Sequence, residues 1–152
     1  LSVAAVAGQN FGAGKATRVR NTFVTAAVLS TFATVVIAIA VGTGAGPLMA
    51  LFTDVPAVTE VGAEYLRIAS IAFMATGVSL VSTSMFQSMG NTVSPLVTSA
   101  VRIVGGLVPA MILSRTAEFG LTSVWWSLVV STYLQLILNL IWLRRELKRK
   151  LV

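Results

Sequence analysis

The sequence contains no cysteine and no histidine. Without a thiol there is no disulfide framework and no thiolate metal site. Without an imidazole, the commonest metal ligand and the one side chain that ordinarily titrates near neutral pH are both missing. Charge is scarce as well: Lys, Arg, Asp and Glu make up 11% of the 152 residues against 56% hydrophobic ones, and mean hydropathy is +0.89. A soluble domain carries about 25% charged residues, so a water-soluble α/β enzyme is excluded and the class is an all-α integral membrane protein. Membrane enzymes usually place His, Cys or paired acids in their spans. The uncharged runs here hold none of these, so the chain is read as a non-enzyme.

What is present is a set of long uncharged runs. No charge falls between Arg20 and Asp54, and Thr22–Val41 supplies the roughly 20 apolar residues that cross a bilayer. A second run, Ile68 to Val101, is divided by Gly90-Asn91-Thr92-Val93-Ser94-Pro95, which carries a Gly-Asn turn signal and a proline. Spans are therefore expected at 68–88 and 95–113, and a fourth at 119–143, with 144–152 as a tail. The result is a polytopic bundle of four transmembrane helices. The chain opens at Leu1 inside an apolar run, and the expectation is a portion of a longer protein.

Four spans put both ends on one side, and the basic residues sort accordingly. Lys15, Arg18, Arg20, Arg144, Arg145, Lys148, Arg149 and Lys150 fall on one face and only Arg67 and Arg115 on the other. Positive charge concentrates in cytoplasmic loops, so residues 8–20 and 144–152 are expected in the cytoplasm. The acids Asp54, Glu60, Glu64 and Glu118 lie on the outer side. The formal net charge of +6 is then a topological signature. Anionic lipid beside the tail explains it more simply than nucleic acid does. Trp142 falls at the inner boundary of the fourth span and Trp125 and Trp126 toward its outer end, as membrane-interface anchors do.

Gly8 to Arg18, GQNFGAGKATR, has the look of a phosphate loop but fails its pattern. Gly8 and Gly14 stand six positions apart where five are needed, and Ala16 follows Lys15 where a hydroxyl should hold magnesium. The glycines instead suit a tight turn at the membrane surface, or a hinge in a moving gate.

The order of features, GQNFGAGKATR, a span, LFTDVPAVTEVGAEYLRI, a span, MFQSMGNTVSP and two more spans, resembles the second half of a multidrug and toxic compound extrusion (MATE) transporter. Gly8, Gln9, Gly12, Ala13 and Gly14 match the turn after the second helix of each lobe in that family. Leu51 to Asp54 with Glu64 to Arg67 resembles an outer connection of the C-terminal lobe, and Gln87 to Pro95 its next inner turn. The resemblance implies a twelve-helix, two-lobe transporter of which this chain is the C-terminal portion, the rest of the same chain being its partner. It also implies a plasma or inner membrane location and export of amphipathic or cationic compounds by alternating access. No cofactor is implied beyond sodium or protons as the coupling ion. Two alternatives stay open: a flippase of the same superfamily moving lipid-linked saccharides, and a non-transport membrane subunit.

Candidate pathway residues come from polar stripes within the spans. Thr76, Ser79, Thr83 and Gln87 share one helical face, which either bonds a neighbouring helix or lines the substrate path. Ser127, Ser131, Gln135 and Asn139 form a second stripe at four-residue spacing, with the two amides the better cavity candidates because an unpaired amide is costly in lipid. Arg102 is the one ionisable residue inside a predicted span. Only about 10 Å along its helix from Pro95, it can snorkel to the inner interface. Thr98, Ser99, Gly105, Gly106 and Pro109 share its helix face, which favours a packing or inner-gate role over substrate contact. No metal site is expected. No span contains Asp or Glu, so a coupling carboxylate must lie outside this segment. The resemblance points to an aspartate on the first helix of the N-terminal lobe.

Overall fold

A computed structural model of the chain describes residues 2–114 and 120–151. It is helical from end to end, without a strand among the described residues: α1 Ser2–Gly12, α2 Ala16–Thr43, α3 Ala45–Ala50, α4 Pro56–Ile71, α5 Phe73–Ser88, α6 Val93–Leu113 and α7 Gly120–Lys150. Three helices, α2, α6 and α7, are long and apolar enough to cross a membrane. α4 and α5, bent by 45° at their junction, are together long and apolar enough for a fourth crossing. The architecture is that of a multi-pass helical membrane protein. Arg115, Glu118 and Phe119 lie outside the described residues.

The expected span 68–88 begins in the wrong place, because its first residues belong to α4 and the helix breaks at Ala72. A break at membrane depth frees carbonyls that water does not reach, so another group must satisfy them. The Tyr133 hydroxyl, from α7, donates to the Ile71 carbonyl at 2.9 Å. On the far side of the bend the Thr76 hydroxyl donates to the Ala72 carbonyl at 2.9 Å. The tail is also more regular than its charge implies, since α7 runs unbroken through Arg144 and Arg145 to Lys150.

Both turns at the basic end close in the same way. After α1 the Lys15 N–H donates to Asn10 O at 2.9 Å and the Gly14 N–H to Phe11 O at 3.0 Å, with Gly14 at φ 68°. After α5 the Asn91 N–H donates to Phe86 O at 2.9 Å and the Gly90 N–H to Gln87 O at 3.0 Å, with Gly90 at φ 73°. This is the Schellman closure, whose left-handed residue glycine adopts without steric cost. The Gly8–Gly14 turn is thus shorter than its glycines suggest. Gly8, Gln9 and Gly12 are helical, and Ala13 to Lys15 alone reverse the chain.

The helix ends are gathered around an apolar cluster at the basic end, where Ala7, Val19, Met85, Phe86, Met89 and Leu143 are buried together. Higher up, glycines let helices approach closely. A Cβ on Gly77 of α5 would lie 2.6 Å from Ser30 Oγ of α2, and one on Gly106 of α6 would lie 2.9 Å from Ser131 Oγ of α7. Small residues at such contacts allow the van der Waals packing that holds membrane helices together. The large apolar side chains point outward, among them Leu29, Phe32 and Ile39 of α2 and Val130 and Ile137 of α7.

Candidate functional site

The stripe on α5 does not stay on one side of the fold. Ser79 is buried and its hydroxyl has no hydrogen-bond partner, Thr83 is half-buried, and Thr76 and Gln87 are exposed. A three-and-four spacing sweeps slowly around a helix, and α5 is flanked by α1, α2 and α7. One turn of drift is enough to carry a side chain from the interior to the surface.

The stripe on α7 is held by α6. Thr98 Oγ1 donates to Asn139 Oδ1 at 2.7 Å, with both residues fully buried, and Gln135 Nε2 donates to Ser99 Oγ at 3.2 Å. Ser131 is buried over Gly106, and Ser127 Oγ donates to Gly106 O at 3.3 Å. Ser131, Gln135 and Asn139 therefore form a polar seam between α6 and α7. In the described fold Gln135 and Asn139 face a helix rather than an open cavity, while Ser131 also borders one. The Asn139 amide nitrogen is buried with no partner, a cost of about 1–3 kcal/mol for a neutral donor. Arg102, one turn beyond Thr98 on α6, is exposed, beside a cavity of ≈ 310 Å³ that reaches Ser131 and Thr132.

A cavity of ≈ 620 Å³ lies between α1, α2 and α5. Its polar lining is Asn10, Arg18, Asn21, Thr22, Thr25 and Ser30, and its apolar lining Val3, Val6, Ala26, Leu29 and Val81. From Arg18 to Ser30 is about 18 Å along α2, so the furrow runs from the basic end to about half the depth of a 30 Å hydrocarbon core. Sequence reasoning passed over these residues. Asn21 and Thr25 stand one turn apart, and Thr22 and Thr25 share the same edge, a short stripe at the start of an otherwise apolar span. Apart from Arg18 the lining carries no charge, and its volume is in the range of small-molecule sites.

A buried charge node was also missed. At the end of α7 the Glu146 carboxylate accepts from Arg149 Nη2 at 2.8 Å and pairs with Lys150 Nζ at 3.1 Å. Lys150 Nζ also donates to Met89 O at 2.7 Å, tying α7 to the turn between α5 and α6. Burial pushes the Glu146 carboxyl up, but hydrogen bonds from Lys150 and Asn91 and the charges of Lys150 and Arg149 outweigh it and hold the group below the usual carboxylate range.

Apolar crossings and polar seams between helices define a polytopic helical membrane protein. Residues 1–112 match the model of the MatE family, and the chain belongs to that family. MatE is a family of transporters, not of enzymes. The match covers α1 to nearly all of α6 and leaves α7 outside it. Neither the curated proteins nor the solved structures gave a match.

Proposed function

We propose that this chain is part of a secondary active exporter that moves amphipathic or cationic compounds outward by alternating access, coupled to entry of sodium or protons. The observation that carries the reading is the furrow between α1, α2 and α5 in a MatE chain. Its apolar walls suit an apolar body, and Asn10, Asn21, Thr22 and Thr25 offer neutral hydrogen-bonding groups, with Arg18 the one charge in the lining, at the basic end. The furrow opens at the basic end, the cytoplasmic side by the distribution of Lys and Arg, which is where an exporter takes up its cargo. Carboxylates that could hold the coupling ion are few: α2 and α6 carry no Asp or Glu, whereas α4 of the bent crossing carries Glu60 and Glu64, and further ones are to be sought in the rest of the transporter.

The test is efflux of a fluorescent cationic dye from cells expressing the full-length transporter, with the proton and sodium gradients collapsed separately. Accelerated efflux stopped by one ionophore supports antiport and names the ion. Confirmed expression with no accelerated efflux for a panel of cationic dyes overturns the drug-export reading and turns attention to a lipid-linked saccharide cargo.

A further inference from the structure

α2 and α7 both pack on α5, and at the basic end they leave a groove of ≈ 380 Å³ between them. Its rim is basic: Arg20 from α2, with Arg144 and Lys148 from α7. Its walls, one turn deeper in the membrane, are Phe23 and Val24 on one side and Leu140 on the other, over a floor of buried Leu143. Arg144 and Lys148 are a like-charged pair at i, i+4, an arrangement that is destabilising unless an anion lies between them. No ion pair among the described residues involves any of the three. The nearest acid, Glu146, sits about 200° around the helix from Arg144 and is spent on Arg149 and Lys150.

A site with three unpaired cations at the level of the headgroups and an apolar slot directly beneath calls for one molecule that is anionic at one end and hydrocarbon at the other. We infer that this groove binds an anionic phospholipid of the inner leaflet, its phosphate between Arg20, Arg144 and Lys148 and an acyl chain against Phe23, Val24 and Leu140. This goes beyond the general attraction of a basic tail to a negative membrane. It is a stoichiometric site with a shape, and it bridges α2 and α7. It is also independent of what the transporter exports.

The experiment is native mass spectrometry of the full-length transporter released from nanodiscs of phosphatidylcholine with and without phosphatidylglycerol, counting retained lipid. The protein is expected to keep phosphatidylglycerol in preference to phosphatidylcholine. Each basic residue near an anionic headgroup is worth about a fivefold preference, so the R20Q/R144Q/K148Q variant should lose at least about tenfold in retention. The K15Q/R18Q/R145Q variant, which removes the same charge outside the groove, should stay within about twofold of the parent. Val24→Trp, which fills the slot and leaves every charge, should also lower retention, and soluble glycerol 3-phosphate should not displace the lipid. Equal losses in both triple variants would mean a diffuse basic surface and overturn the proposal. Unchanged retention in Val24→Trp, or displacement by glycerol 3-phosphate, would overturn it too, by removing the acyl slot from recognition. If the groove triple variant does not fold, Val24→Trp and the single substitution Lys148→Gln decide.

Discussion

At the scale of single residues, the polar groups divide into those that bind helices together and those that face open space. Thr98 and Asn139 belong to the first kind. Polar pairs between membrane helices contribute modestly, about 0.6 kcal/mol on average in double-mutant cycles. A cycle of Thr98→Val and Asn139→Leu is expected to give a coupling near that value in thermal unfolding of the detergent-solubilised protein, and no coupling would separate the two side chains. Glu146 is of the same kind but sensitive to pH. Its folded pKa lies below the ordinary 4.5, so its contribution to stability is complete above that ordinary value and fades as pH falls through the lower folded value. Glu146→Gln should therefore lower the unfolding temperature at neutral pH and narrow its gap to the parent as the solution is acidified. A gap that does not change with pH would show that the node acts through shape rather than charge.

At the scale of elements, the two Schellman turns and the bend between α4 and α5 decide where the helices go. The glycines of the first turn, similar on paper, differ in role. Gly14 at φ 68° holds a conformation that costs other residues about 1–2 kcal/mol, whereas Gly12 is helical with open space around it. Gly14→Ala should lower the unfolding temperature and Gly12→Ala should leave it unchanged or raise it, since alanine is the better helix former by up to about 1 kcal/mol. The reverse order would place the turn upstream of Ala13. Tyr133→Phe should loosen the bend at Ala72 by leaving the Ile71 carbonyl without its donor, read as faster amide exchange of the residues after the bend.

The crossings themselves were legible in the sequence, because an uncharged run of bilayer length has few other fates. α6 and the apolar stretch of α7 fall close to the spans read from charge alone. The bend was not legible. Ala72 is neither glycine nor proline, and the group that makes the break tolerable, Tyr133, is distant in the chain. Nor does a stripe's spacing reveal which neighbour it faces. The amides Gln135 and Asn139 are the better cavity candidates by sequence and the α5 hydroxyls suit packing or pathway, and only the position of α6 shows that the two amides meet a helix. The furrow is not legible in the sequence because its lining is shared between α1, α2 and α5, and only the packing of those helices brings it together.

At the scale of the whole molecule, the central claim is that cargo enters along the furrow lined by Asn21 and Thr25, while the α6–α7 seam stays closed. The lack of cysteine in this chain makes that claim directly testable by single substitutions in the full-length transporter, in a background freed of any other cysteine. Thr25→Cys and Asn139→Cys would each be exposed to a membrane-impermeant, cationic thiol reagent from the cytoplasmic side, with and without a transported dye. The account predicts that Thr25→Cys reacts, that dye slows the reaction, and that Asn139→Cys remains unmodified. Rapid, dye-protected labelling at Asn139→Cys with none at Thr25→Cys would contradict it and move the pathway to the seam.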